Sequence, residues 1–108
     1  MGFFFDKDIK AKVLDGKSSR KVLAHCDDVM ACHLFFEQGG RGTLHSHPHT
    51  QICYVISGVF DFTLSGETRR ISAGDSVCIP SDAEHGLECI EKGELIDIFT
   101  PERKDFLP

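Results

Sequence analysis

The chain has no excess of positive charge: 12 Lys and Arg stand against 17 Asp and Glu, a formal net charge of -5. A surface of that sign repels phosphate backbones and anionic lipid, so neither nucleic acid nor an acidic membrane is an expected partner. Long apolar runs are also missing. Nothing approaches the roughly 20 residues of a spanning helix, and Phe3-Phe4-Phe5 passes at once into Asp6, Lys7 and Asp8. Neither a leader nor an anchor is expected. No CxxC pair occurs among the five cysteines, at 26, 32, 53, 78 and 89, and several lie inside apolar runs. This predicts free, largely buried thiols in a reducing cytoplasm. Helical periodicity is nearly absent, with Phe5 to Val13 the one stretch that could form a helical turn. There is no low-complexity segment and no linker.

What is present is a globular composition, 41% hydrophobic and 27% charged over 108 residues. A folded chain of this size buries about 65% of its unfolded surface, so one domain over residues 1–108 is expected. Gly58, Gly66 and Gly74 fall eight residues apart and predict turns between short strands. The strands they bound are Ile52 to Ser57, Val59 to Leu64, Thr68 to Ile71 and Ser76 to Ile79, rich in Val, Ile, Phe, Thr and Tyr. Further strands are read at Lys21 to Ala24, Val29 to Glu37, Thr43 to His47, Gly86 to Ile90 and Leu95 to Thr100, with Lys92-Gly93 between the last two. Phe60, Phe62 and Leu64 alternate with polar residues, whereas Cys53-Tyr54-Val55-Ile56 is apolar on both faces, as in a central strand. The pattern predicts an all-β sandwich, jelly roll or small barrel.

His45-Ser46-His47-Pro48-His49, with Gln51, is the densest polar feature of this apolar middle. Residues two apart on a strand share a face, so His45 and His47 can offer two imidazoles to one ion. Beyond the bend at Pro48, Gln51 shares a face with Cys53 and Val55 and could return to the same point, with His85 as a fourth ligand. His25 and His33 read as surface or hydrogen-bonded sheet residues, and His49 as a neighbour of the site rather than a ligand. Cys53, Cys78 and Cys89 read as small core hydrophobes.

Gly39, His45-x-His47, Gln51 and Gly58, followed by Gly74, Pro80 and His85, resemble the two paired motifs of the cupin superfamily. The resemblance implies a double-stranded β-helix, the cupin jelly-roll barrel. It also implies one divalent transition metal ion (Ni, Zn, Fe, Mn or Co) held by His45, His47, Gln51 and His85. Three departures stand out: Gln51 replaces the usual Glu, Asp82 the usual Gly, and Cys89 a frequent Asn. Three imidazoles and an amide leave the ion's double charge uncompensated, which favours Lewis-acid chemistry over dioxygen activation.

Near the carboxyl terminus, Leu95, Asp97 and Phe99 alternate with Ile96, Ile98 and Thr100. An Asp between two large apolar residues is either a satisfied carboxylate at a sheet edge or a buried general acid with a raised pKa. Arg103 could hold a substrate carboxylate, or pair on the surface with Glu102 or Asp105. Phe3-Phe4-Phe5-Asp6, HSHPHTQICYVISG, AGDSVCIPSDAEHG and DIFTPERKDFLP together resemble the small single-domain cupins of pectin and alginate breakdown. That resemblance implies conversion of 4,5-unsaturated monouronates to linear keto sugars, with Asp97 and Arg103 catalytic and Phe99 and Arg103 binding an acidic sugar. Two other functions fit the same residues: a non-catalytic, metal-dependent binder of small acids, and a small iron-dependent dioxygenase. The amino-terminal phenylalanines suggest an apolar surface shared by a homodimer.

Overall fold

Eight strands dominate the computed structural model, which describes residues 2–108: β1 (Lys12–Asp15), β2 (Ser18–Cys26), β3 (Val29–Phe36), β4 (Arg41–His45), β5 (Thr50–Leu64), β6 (Glu67–Ser72), β7 (Ser76–Ile79) and β8 (His85–Thr100). The helical turn expected within Phe5 to Val13 is reduced to a single 3-10 turn at Asp6–Asp8, and the same stretch then enters β1.

All pairings are antiparallel, in the order β1-β2-β3-β8-β5-β6, with β4 added to β8 and β7 to β5. The two long strands organise the fold. The second half of β8 lies between β3 and the first half of β5, while its first half lies between β4 and the second half of β5. Each long strand therefore belongs to both layers of a jelly-roll barrel, and their inner faces enclose the core.

Gly58 and Lys92-Gly93 read in the sequence as turns that end strands, and here the structure differs. Both long strands run on through these positions, where the β5–β8 register shifts between Val55 and Phe60. Gly58 has φ +85°, and a Cβ on it would stand 2.5 Å from Gly93 Cα and 2.6 Å from Lys92 O. The glycines let two backbones cross closely while the strands bend from one layer into the other.

Inner residues follow the period of two. Cys53, Val55, Phe60, Phe62, Ile79, Cys89 and Leu95 pack with Phe36 in one cluster, and Met30, Cys32 and Phe99 form a second. The expectation that Cys53 to Ile56 is covered on both faces is corrected. Ile52, Tyr54 and Ile56 are 48%, 46% and 41% exposed, because β5 carries no second layer over its outer face. Cys78 is likewise exposed, on β7 opposite Ile52, rather than a core residue.

Candidate metal centre and adjoining cavity

β4 ends at His45, directly opposite His85 at the start of β8, and the two rings lie 4.4 Å apart. His47 was expected on the same strand face as His45. It lies instead in the 46–49 connection, held where Asp82 N–H donates to the His47 carbonyl at 2.8 Å. Its ring still arrives 5.5 Å from His45 and 4.9 Å from His85. Gln51 points inward from β5, between Ile79 of β7 and Phe99 of β8.

The imidazoles share one wiring. Nδ1–H of His45 donates to Thr43 O at 2.7 Å, that of His47 to His49 O at 3.0 Å, and that of His85 to Ala83 O at 3.0 Å. Spending Nδ1 on a carbonyl fixes the tautomer and leaves each Nε2 lone pair free. Candidate ligand atoms of the three histidines lie within 4.8 Å of one another, close to the span of one coordination sphere with ligands at about 2.1 Å. His47 Nε2 also stands 3.0 Å from Gln51 Oε1. With Nδ1–H already donated, this brings two lone-pair acceptors together, an arrangement that a bound cation stabilises. Burial lowers the pKa of His47 and of His85, which favours the neutral ligand form. The donor set fits a divalent transition ion held by His45, His47, Gln51 and His85.

Asp97 occupies the inner face of β8 in one transverse row with Cys32 on β3 and Cys53 on β5. Its Oδ1 has no hydrogen-bond partner among the described residues. Burial pushes its pKa up to about 6, while the nearby Gln51 and Cys53 side chains and the Arg103 charge pull less strongly downward. The neighbouring thiols are inert: burial raises Cys32 to about 12 and Cys53 still further.

Arg103 follows β8 and is only 13% exposed, with its Nε and Nη2 donating to Asp105 at 3.0 and 2.9 Å. Arg103 thus pairs with Asp105, one of the two partners read for it, but it does so from the cavity lining rather than from the open surface. Its guanidinium lies 5.1 Å from the Phe99 ring and 4.2 Å from Phe106. His25 and His33 hold Glu102 and Glu94 at 2.9 and 2.7 Å. The His49 ring lies 5.5 Å from His47, outside the imidazole triad.

A cavity of about 420 Å³ joins these groups, bringing His45, Gln51, His85, Asp97, Phe99 and Arg103 to one surface. It also exposes three residues that sequence reasoning missed, Arg20, Arg41 and Phe106. Arg20 falls just outside the strand read at Lys21 to Ala24, and only the pairing of β2 with β3, which sets it opposite Leu34, brings it to the cavity.

Jelly-roll topology and an imidazole cluster inside the barrel define a cupin. The model of the cupin domain matches residues 33–99, and the chain belongs to the cupin family. It is 36% identical over 107 residues to the pectin degradation protein KdgF of Dickeya dadantii, covering 97% of both chains. Among solved structures, KdgF from Halomonas sp. matches at 38% identity and TM-score 0.92, with 97% of each chain covered. An RmlC-like cupin from Shewanella frigidimarina matches at 34% identity and TM-score 0.94, covering 99% of this chain and 96% of that one.

Proposed function

We propose that this cupin converts 4,5-unsaturated monouronates to linear keto sugars in pectin or alginate breakdown. One observation carries the reading: a single cavity joins His45 and His85 of the imidazole triad, the buried Asp97 carboxyl with its unpartnered Oδ1, and the Arg103 guanidinium. Similarity over 97% of the chain to the pectin degradation protein KdgF of Dickeya dadantii, and to the structure of KdgF from Halomonas sp., supports it. His45, His47, Gln51 and His85 hold the divalent ion, which when bound supplies Lewis acidity toward a substrate oxygen.

The substrate is a cyclic enol ether, with C4=C5 joined to the ring oxygen and a carboxylate on C5. Arg103 orients the carboxylate and Phe99 shapes the sugar pocket. Asp97, whose burial raises its pKa to about 6 and so keeps a protonated fraction available close to neutrality, delivers its proton to C4. Water adds to the electron-poor C5 and returns a proton to Asp97, giving a hemiketal. The C5–O bond to the ring oxygen then breaks as that oxygen takes the hydroxyl proton, leaving a C5 ketone. The freed C1 hydrate loses water to the aldehyde, so the net change is an isomerisation.

The test follows the enol-ether ultraviolet absorbance of an unsaturated monouronate. Metal-loaded protein is expected to remove it catalytically, chelated protein to match spontaneous decay, and remetallation to restore the rate. His47→Ala is expected to weaken metal affinity more than about 100-fold, because even partners outside the ligand set are worth 10- to 100-fold. Stoichiometric acid binding without absorbance loss would instead support the binder, and oxygen consumption with iron the dioxygenase.

A homodimer in the cytoplasm completes the proposal. Ile52, Tyr54 and Ile56 form an uncharged outer stripe beside Ile96 and Ile98, and Phe3 to Phe5 are also exposed. Two copies that each carry a charge of -5 can meet most readily through such a patch, which is complementary to itself. Light scattering at micromolar concentration is expected to give twice the chain mass, and Tyr54→Asp the chain mass alone. A monomeric parent would refute the dimer. All five cysteines are free thiols, which suits a reducing compartment.

A further inference from the structure

Three of the chain's five arginines line the cavity, although the protein is acidic overall. Arg41 is mostly exposed and lies 3.5 Å from Glu88, while Arg103 is forked onto Asp105. Arg20 differs from both. Its Nε is buried and has no acceptor among the described residues. Its guanidinium carbon lies 3.6 Å from the centroid of the Phe106 ring, the same ring that Arg103 approaches at 4.2 Å.

Two guanidinium groups thus share one aromatic ring, and Asp105 is hydrogen-bonded to Arg103 alone. The ring contributes cation–π attraction to each but cannot cancel their mutual repulsion. Burial lowers the Arg20 pKa, and the Arg103 charge lowers it further. A buried, unsatisfied N–H beside a second cation is costly in the free protein, and an anion entering the cavity would relieve both penalties. The planar fork of a guanidinium matches a carboxylate in particular.

We propose that Arg20 is a substrate-binding residue that receives the carboxylate of the acidic sugar together with Arg103, and that Phe106 positions both guanidinium groups. The assignment rests on the ring-opening reading for the substrate's identity, but its anion chemistry is testable without turnover.

The experiment compares parent, Arg20→Gln and Arg20→Lys, each metal-loaded, with metal content and melting temperature measured alongside. Calorimetry measures binding of galacturonate, a saturated acid that cannot undergo the reaction, and of its uncharged methyl ester. The parent is expected to prefer the acid by at least about 10-fold, and Arg20→Gln to lose that preference, since a hydrogen bond between two charged groups is much stronger than one to a neutral ester. With unsaturated monouronate, Arg20→Gln is expected to raise KM at least about 10-fold with kcat within about threefold, the signature of lost ground-state binding. Arg20→Lys keeps the charge but loses the fork, and is expected to fall between the two; it also carries the test if Arg20→Gln does not fold. A parent that does not distinguish acid from ester, or variants that keep the parent's preference and KM within about twofold, would overturn the assignment. If the parent leaves unsaturated monouronate unchanged while Arg20→Gln loses the acid preference, ring opening fails and Arg20 stands. Turnover by the parent with an unaltered preference in the variants gives the converse.

Discussion

Asp97→Asn is expected to lower kcat for unsaturated monouronates by about 100-fold or more, the range that a positioned proton donor contributes, while metal content stays at the parental level. Asn is nearly isosteric, so packing against Cys32, Cys53 and the inner face of β8 is preserved, and only the transferable proton is lost. The same substitution is expected to stabilise the metal-free protein. A carboxyl whose native pKa is about 6, against an ordinary value of 3.8, binds its proton more tightly folded than unfolded. The parent therefore loses stability as pH rises from about 4 through 6, where the native state must give up a proton that the unfolded chain has already released. Asn does not titrate. The pH-dependent gap in favour of Asp97→Asn should vanish below about pH 4 and approach about 3 kcal/mol above pH 7, at 1.36 kcal/mol per unit. Thermal melts of chelated protein across that range check the sign. Full activity in Asp97→Asn would refute the proton-donor role, and a pH-independent stability difference would show that the carboxyl is not held in an apolar setting.

Gly93→Ala is expected to cost more than about 3 kcal/mol, among the larger effects available to a single methyl group. A Cβ at Gly93 would overlap Ser57 O and stand 2.7 Å from Gly58 Cα, so it meets backbone that cannot rotate away. Relief requires separating β5 from β8 where both pass between layers, which also disturbs the strand halves carrying Gln51 and Asp97. At roughly 4–8 °C per kcal/mol for a domain of this size, the melting temperature should fall by more than about 12 °C. Gly16→Ala provides the contrast: nothing lies within 4 Å of its Cβ, and a shift within about 0.5 kcal/mol is expected. Gly66→Ala is also open but has φ +85°, and an intermediate loss of about 1 kcal/mol should follow from backbone strain alone. Equal melting temperatures for the variants at 16 and 93 would refute the close crossing.

The alternation of β5 and β8 was legible in the chain because the period of two is a local property. Gln51, Cys53 and Val55 could be placed on one face, and Leu95, Asp97 and Phe99 on another, without knowing the neighbours of either strand. What could not be read locally was continuity. Gly58 and Gly93 each resemble a turn signal in isolation, and their true role is a relation between two distant positions. The outer stripe of Ile52, Tyr54 and Ile56 was misassigned for a similar reason: side-chain polarity reports parity but not whether a second layer lies above. His47 carries the reverse lesson, since its ring joins the cluster from a connection rather than a strand, positioned by its bond to the His49 carbonyl and by the hold of Asp82 on its own.

By itself, the sequence determined an all-β fold, the acidic surface, and the residues able to hold an ion or move a proton, because these follow from side-chain chemistry and short-range periodicity. Tertiary structure alone decided how those residues converge. It set the common Nδ1 anchoring of three imidazoles, the burial that raises the pKa of Asp97, and the meeting of Arg20 with Arg103 on Phe106. Each of these depends on strands far apart in the chain sharing a low-dielectric interior, and such proximity is fixed by the packing of the whole barrel rather than by any segment of it.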